Sequence, residues 1–295
     1  MFLENLHNQF LRYCSLEENL SPKTISGMKG SFKTLLKWTG IQNMGEVTLD
    51  VLRNFFYEGK EKHLWSTSST LNHMKYLKKF FNWCIKEGYM EKNLILEIKK
   101  PKQSKTLPKV LTKEQANAIL CASFSFSWVY TFEQYRNYAI IATLLCTGIR
   151  AEEILNLRVI DVNLSSERIF IHLGKGKKDR YVPIHRKLKQ ILDSYIRERK
   201  RLNKTSGYFF TGIKSNLPLS YKDLTRICQK LSKHTGIKFT AHTLRHTAAT
   251  ELLNQGLDIY MVSRVLGHTD IKTTTIYLHT ATNDLQKSLN ELELY

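Results

Sequence analysis

The sequence predicts a mainly helical protein of two domains with one small antiparallel β-sheet. The 295 residues are enough for two cores of ordinary size. A hydrophobic content of 42%, with 11% aromatic residues, is typical of a globular chain. Apolar residues recur at helical spacing through most of the sequence, and only one stretch suggests strands. No apolar run reaches the length of about 18 residues that a membrane span needs, so we expect no membrane contact.

The first hundred residues are expected to form helices. Ser21 followed by Pro22 is a favourable N-cap and first-turn pair. A second helix is predicted over 48–59. A third begins near Ser66 and ends at Gly88, where a glycine can take the left-handed conformation that terminates a helix.

A basic stretch, "EIKKPKQSKTLPKVL", separates the two predicted domains. It contains two prolines and five lysines, a composition typical of a linker. Thr112 and Gln115 then form a capping-box pattern that restarts helical structure. We therefore predict a helical domain over 1–100, a linker over 101–110 and a second domain over 111–295.

The second domain is predicted to be helical around a β-hairpin. "RIFIHL" and "RYVPI" have strand character and flank the turn "GKGKKD". Two further helices are expected near the end, the first ended by Gly256 and the second running from Asp258 to Gly267. A weaker segment then carries Tyr277. The other predicted helices cover 112–122, 132–147, 150–157, 186–202 and 220–234.

The charge of the chain favours a polyanionic partner. Lysine and arginine number 45 against 26 acidic residues, a formal charge of +19. The excess is spread over the chain, with 17 basic and 10 acidic residues up to position 107 and 28 and 16 after it. Nucleic acid is the expected partner. Lys75, Lys78 and Lys79 on the third helix are candidate DNA contacts, although a solvated lysine face is the ordinary alternative.

Several residues of the second domain could carry chemistry, and each has an ordinary explanation when taken alone. Arg150 and Glu153 could be an intrahelical ion pair, and Tyr277 could be a core tyrosine. His242 and His246 are four residues apart and could be a metal pair. The sequence has neither an HExxH nor a CxxC motif, so we expect no metal and no cofactor.

Taken together, these residues indicate a family. The segments "TGIRAEEILNL", "GKGKKDRYVPI", "HTLRHTAAT" and "LGHTDIKTTTIY" occur in this order. Their order and spacing resemble those of the tyrosine recombinases, especially the bacterial Xer and phage-integrase type. The resemblance covers the whole predicted catalytic domain. The N-terminal half resembles the helical, SAM-like core-binding domain of that family through looser motifs.

The resemblance implies a metal-free reaction centre for DNA cleavage. Tyr277 would attack the scissile phosphate and form a 3′-phosphotyrosyl bond. Arg150 and Arg245 would hold the non-bridging oxygens, which suits the planar, permanently charged guanidinium. His242 would accept or relay the tyrosine proton, and His268 would donate to the phosphate.

The resemblance also assigns the supporting residues. Lys175 would protonate the departing 5′ oxygen, with Lys177 and Lys178 as competing candidates for that role and as possible DNA contacts. Glu153 would organise the cluster of arginines and histidines. His246 is expected to lie outside the centre, either as a packing residue or as a residue that supports the side chains of the centre.

The family resemblance further implies an assembly on DNA. The expected partner is a double-stranded recombination site, bound by a homo-tetramer, or by a hetero-tetramer with a sister recombinase, that passes through a Holliday junction. A DNA translocase is a candidate activator, and the expected location is the cytoplasm, at the nucleoid. Leu285, Leu289 and Leu292 recur at helical spacing, which predicts a terminal helix that would dock on a neighbouring protomer or pack on its own domain.

Two other functions compete with recombination. A type IB topoisomerase would use the same chemistry on one strand, but the order of the motifs and the recombinase-like N-terminal half favour a recombinase. A non-enzymatic DNA-binding relative is the other alternative, and the complete set of catalytic residues disfavours it. Within recombination, chromosome-dimer resolution and mobile-element integration or excision both remain open.

Overall fold

The computed structural model describes residues 2–102, 108–172, 179–268 and 270–278. The chain divides into two units, Met1–Lys105 and Thr106–Tyr295. The described residues are mainly helical, and their three strands form one antiparallel sheet. The predicted fold class is therefore confirmed.

The described part of the first unit contains four α-helices: α1 (Leu3–Leu16), α2 (Pro22–Thr39), α3 (Leu49–Glu61) and α4 (Thr67–Lys86). The predicted cap at Ser21 is formed, and Thr48 and Ser66 cap α3 and α4 in the same way; each side chain accepts from a backbone N–H three residues on. Helices α1, α2 and α4 pack around an aromatic core. In that core the rings of Phe10 and Phe32 both meet the ring of Phe80 edge-on.

The described part of the second unit contains seven α-helices: α5 (Lys113–Ser125), α6 (Thr131–Thr147), α7 (Ala151–Asn156), α8 (Arg186–Arg201), α9 (Tyr221–Thr235), α10 (Ala241–Asn254) and α11 (Ile259–Leu266). The capping box of Thr112 and Gln115 is present at the start of α5. The segment that carries Tyr277 is a 3₁₀ turn, Thr275–Tyr277.

The sheet has one strand more than the predicted hairpin. Its strands are β1 (Val162–Asn163), β2 (Arg168–Ile171) and β3 (Arg180–Pro183), in the order β1-β2-β3. The sequence prediction missed β1 because two residues are too few to show an alternating pattern. Ile169 of β2 pairs with Val182 of β3, and both side chains are buried in the core.

Helix α6 is the centre of the second unit and determines where the candidate site begins. It packs against α5, α8 and α10, and most of its residues are buried. It ends at Gly148, whose φ of 62° is left-handed. Helix α11 ends in the same manner at Gly267, with a φ of 67°. The carbonyl groups at these two helix ends lie beside the side chains described below.

Replacement of Gly148 by alanine tests how tightly the end of α6 is packed. A Cβ atom there would lie 2.6 Å from Leu266 Cδ2. Gly236 ends α9 with a similar φ of 72°, but a Cβ there would meet nothing within 4 Å. We expect Gly236→Ala to lower the free energy of unfolding by about 1 kcal/mol through backbone strain alone. Gly148→Ala should cost about 2–4 kcal/mol, since overpacking adds to that strain.

Scanning calorimetry of the two alanine variants gives the comparison directly, because both glycines belong to the second unit. Equal losses in the two variants would contradict the close contact between Gly148 and Leu266.

Candidate active site

Arg150 ties the beginning of α7 to the end of α11. Its backbone N–H donates to Glu153 Oε2 at 2.7 Å, and its Nη1 donates to Oε1 at 2.8 Å. Its Nη2 donates to the carbonyl oxygen of Gly267 at 2.6 Å. The side chain keeps 30% exposure, so this guanidinium is fixed in place yet open on one side.

Arg180, which the sequence prediction did not select, is the second arginine on Glu153. Its Nη1 and Nη2 donate to the two carboxylate oxygens at 3.0 and 2.8 Å, and its Nε donates to the carbonyl oxygen of Val265 at 2.7 Å. A sequence signal was available: Arg180 lies two residues before Val182 on β3, so the two side chains share a face, and Val182 is buried in the core. An arginine on the inward face of a strand needs a partner.

The two arginines keep Glu153 ionised. Burial on its own would raise the pKa of this carboxyl group. The hydrogen bonds and charge of Arg180, with those of Arg150, outweigh burial and lower the pKa to about 2. The carboxylate is therefore a fixed negative charge at neutral pH.

Arg245 on α10 is buried and also points at helix ends. Its Nη1 donates to the carbonyl oxygen of Gly148 at 2.6 Å, and its Nη2 donates to that of Leu266 at 3.0 Å. Burial lowers the pKa of Arg245 to about 10, with the charge of Arg150 acting in the same direction. The guanidinium stays charged at neutral pH.

His268 follows the end of α11 and contacts Arg245. Its Nε2 lies 2.8 Å from Arg245 Nη2, and its Nδ1 lies 2.7 Å from Thr274 Oγ1. Burial lowers the pKa of His268 to about 4, and the positive charges of Arg245, Arg150 and Arg180 act in the same direction. The imidazole is neutral at pH 7.

Tyr277 is 2% exposed, and its hydroxyl group lies 2.8 Å from His246 Nδ1. Its ring stacks on that of His268 with centroids 6.4 Å apart. Burial raises the pKa of Tyr277, while the charges of Arg245 and Arg150 oppose the rise. His246, expected to lie outside the centre, is thus in direct contact with the Tyr277 hydroxyl group. On α10, His246 is the residue after Arg245, and the turn of the helix directs it at the tyrosine.

His242 lies one helical turn before His246, at the beginning of α10, where it is exposed. The two imidazole rings are stacked, with centroids 5.8 Å apart. Burial lowers the pKa of His246, and the charges of His242 and Arg245 lower it further. Within the described residues, no group of three or more His, Cys, Asp or Glu side chains is placed to hold a metal ion.

Comparison with known families accounts for both units of the chain. Residues 109–284 match the phage integrase family, and residues 7–88 match the phage integrase N-terminal SAM-like domain. The chain belongs to the phage integrase family. The predicted resemblance is thereby confirmed.

Curated relatives of this integrase-family chain are tyrosine recombinases. The tyrosine recombinase XerC of Bacillus licheniformis is 30% identical, with 97% of this chain and 95% of the relative covered. The tyrosine recombinase XerD of Halalkalibacterium halodurans is 29% identical, with 94% of both covered. The chain is thus an enzyme that cleaves and rejoins DNA in site-specific recombination.

Solved structures share the fold. The XerH site-specific recombinase bound to palindromic difH substrate matches with a TM-score of 0.76 and 22% identity, over 96% of this chain and 84% of that one. The Tn1549 transposon integrase in complex with a circular intermediate DNA matches with a TM-score of 0.79 and 22% identity, over 99% of both.

The predicted lysines fall into two groups, those near the β2–β3 connection and those on α4. Lys175, Lys177 and Lys178 lie outside the described residues. Lys75 is exposed, whereas Lys79 forms an ion pair with Glu18 at 2.6 Å. Lys78 is half-buried. DNA contact by the lysines of α4 stays a prediction.

Among the described helices, none combines the length and apolar character of a membrane span.

Replacement of Glu153 by glutamine tests the carboxylate bridge. A pKa lowered from 4.5 to about 2 corresponds to about 3 kcal/mol of stability. That contribution is complete above pH 4.5 and is lost as the pH falls toward 2. We expect Glu153→Gln to lower the free energy of unfolding at pH 7 by about 2–3 kcal/mol, and the deficit to shrink through this window.

Urea denaturation between pH 7 and pH 3 measures the difference between the two proteins. Glu167→Gln is the control, because Glu167 pairs with Lys189 at the surface and should contribute little. A deficit that is independent of pH would contradict an ionised Glu153.

Proposed function

We propose that Tyr277 is the nucleophile with which this recombinase cuts DNA. Its oxygen would bond to the scissile phosphorus as the P–O5′ bond breaks, leaving a 3′-phosphotyrosyl link and a free 5′-hydroxyl. Attack by a 5′-hydroxyl from a partner strand reverses these bond changes, so rejoining needs no external energy source. The observation that carries the proposal is the burial of the Tyr277 hydroxyl beside His246, within the field of Arg245 and Arg150.

Arg150 and Arg245 are the proposed phosphate-binding groups. Arg150 donates to the carbonyl oxygen of Gly267 through Nη2, and Arg245 donates to those of Gly148 and Leu266 through Nη1 and Nη2. In the described part of the chain neither Nε forms a hydrogen bond, so these donors are available to the phosphate. Donors fixed before the reaction stabilise the charge that develops at phosphorus without reorganisation.

His246 is the proposed first acceptor of the tyrosine proton. Its Nδ1 is within hydrogen-bond distance of the hydroxyl group, and its lowered pKa leaves it neutral and able to accept at pH 7. His242, predicted for that role, would serve as the next acceptor or as a phosphate contact. His268, predicted to donate to the phosphate, would instead orient Arg245, because its Nε2 lies 2.8 Å from Arg245 Nη2. Lys175 remains the proposed donor to the departing 5′ oxygen.

The proposed partner is a double-stranded recombination site, and DNA as the partner agrees with the substrates named for XerH and the Tn1549 integrase. We propose a tetramer of this chain, or of this chain with a sister recombinase, that holds two duplexes and passes through a Holliday junction. A DNA translocase is the candidate activator, and the proposed place of action is the nucleoid. Leu285, Leu289 and Leu292, proposed for docking between protomers, lie outside the described residues.

Replacement of Tyr277 by phenylalanine tests the nucleophile. Nicked duplexes from the genomic neighbourhood of the gene would trap a covalent adduct in EDTA, detected as an SDS-resistant band. We expect Tyr277→Phe to abolish the adduct and to leave DNA binding within about threefold, because binding rests mainly on phosphate contacts elsewhere. Tyr260→Phe, an exposed tyrosine on α11, is the matched control and should form the adduct normally. An adduct with the Tyr277 variant would refute the assignment.

Replacement of the two histidines by asparagine decides which accepts the proton. Asparagine can keep a hydrogen bond near the position of Nδ1 but does not accept a proton at pH 7. We expect His246→Asn to slow single-turnover cleavage by about 10²–10⁴.

The pH dependence of the single-turnover cleavage rate tests the proton acceptor independently. The wild-type rate should fall in acid, below the lowered pKa of His246, and level off at neutral pH. The His246→Asn rate should instead keep rising toward the raised pKa of Tyr277. A large loss in His242→Asn with His246→Asn unaffected would favour His242 as the acceptor.

A further inference from the structure

Thr274 links the nucleophile to the arginine cluster. It is the residue before the 3₁₀ turn Thr275–Tyr277, and its carbonyl oxygen accepts from the Tyr277 backbone N–H at 3.0 Å. Its hydroxyl oxygen is 2.7 Å from His268 Nδ1. One residue therefore contacts both the turn that holds the tyrosine and the imidazole that contacts Arg245.

Thr274 differs from its neighbours in the threonine run. Its side chain is completely buried, whereas Thr273 and Thr275 are exposed. A buried polar side chain in a tightly packed position needs a hydrogen-bond partner, and His268 supplies it. Packing alone would be satisfied by valine, which has the same shape, so the hydroxyl group needs a separate reason.

The hydrogen bonds of His268 fix its tautomer. A guanidinium group can only donate, so Nε2 of His268 must accept from Arg245 and carries no proton. The proton of the neutral imidazole then lies on Nδ1, and Nδ1–H donates to Thr274 Oγ1. The opposite tautomer would place an N–H of the imidazole against an N–H of Arg245.

We infer that Thr274 is a positioning residue of the cleavage reaction. Its hydroxyl oxygen holds His268 in the Nδ1–H tautomer, which keeps Nε2 free to accept from Arg245. Its backbone carbonyl group accepts from the Tyr277 N–H and so holds the turn that carries Tyr277 beside the arginine cluster. The inference rests on the proposed function, since it assumes that Tyr277 attacks a phosphate held by Arg245. The tautomer itself can be measured without any reaction.

The test compares Thr274→Val with Thr274→Ser in the full-length protein. Valine keeps the shape and removes the acceptor, while serine keeps the acceptor. Thr273→Val is the matched control, because Thr273 is exposed and its hydroxyl group donates only to the carbonyl oxygen of Asp270 at 2.8 Å. Circular dichroism melting curves establish that all variants are folded.

The first measurement is the tautomer of His268 by ¹⁵N–¹H spectroscopy of imidazole-labelled protein, assigned with His268→Gln. We expect Nδ1–H in the wild type, in Thr274→Ser and in Thr273→Val. Thr274→Val should lose this single signature, because Nδ1–H would be buried without an acceptor while the opposite tautomer would meet an N–H of Arg245, so neither state would be satisfied in the native position of the ring. Retention of the wild-type signature in Thr274→Val would overturn the inference.

The second measurement is single-turnover cleavage of the nicked duplex. Thr274→Val should lose about 100-fold, as expected for a small misplacement of reacting groups, with DNA binding unchanged. Thr274→Ser should cleave at a rate within about threefold of the wild-type rate. An equal loss of cleavage rate in Thr274→Val and Thr274→Ser would indicate that Thr274 acts through packing alone, and would overturn the inference. An adduct in Tyr277→Phe would instead defeat the proposed function, while the tautomer result would still stand.

Discussion

The site depends on the bridge that Glu153 makes between Arg150 and Arg180. A charge taken out of water is costly unless it is paired and hydrogen-bonded. Glu153 receives four side-chain and backbone hydrogen bonds from these two arginines. The carboxylate thereby joins the start of α7, the start of β3 and, through the other donors of the arginines, the end of α11.

The remaining positive charge is held by helix ends. Gly148 closes α6, and Val265, Leu266 and Gly267 close α11; the last carbonyl groups of a helix have no partner within the helix and carry partial negative charge. Arg150, Arg180 and Arg245 donate to these groups. The left-handed glycines stop the helices where those carbonyl groups are needed. Partial charges orient the arginines without neutralising them, so one carboxylate stands against three guanidinium groups. The excess positive charge is what the proposed phosphate binding would use.

Local signals in the sequence were sufficient for the helices, whereas the residues of the cluster could be selected only through the resemblance of four motifs to a family. The caps at Ser21 and Thr112 and the stop at Gly267 act over a few residues, so they can be recognised without the fold. The contacts of Arg180, His246 and Thr274 could not be predicted in the same way, because their partners are separated from them by 27, 31 and 6 residues. His246 was set aside because His242 fits the family pattern, whereas which of two histidines meets a tyrosine depends on the rotation of α10. Strand β1 exists only through its pairing with β2.

The protonation states of the site determine how the tyrosine can react. Burial raises the pKa of Tyr277 above its usual value near 10, so phenolate is scarce at neutral pH and cannot be the resting nucleophile. In the proposed attack by Tyr277, the proton would leave as the P–O bond forms, which would require a base already in contact with the hydroxyl group. The burial that makes ionisation of the tyrosine costly also lowers the pKa of His246, which keeps that base unprotonated. A single low-dielectric environment thus suppresses the free phenolate and keeps the neighbouring imidazole neutral. In the proposed reaction, this would couple attack by Tyr277 to the arrival of a phosphate between the arginines.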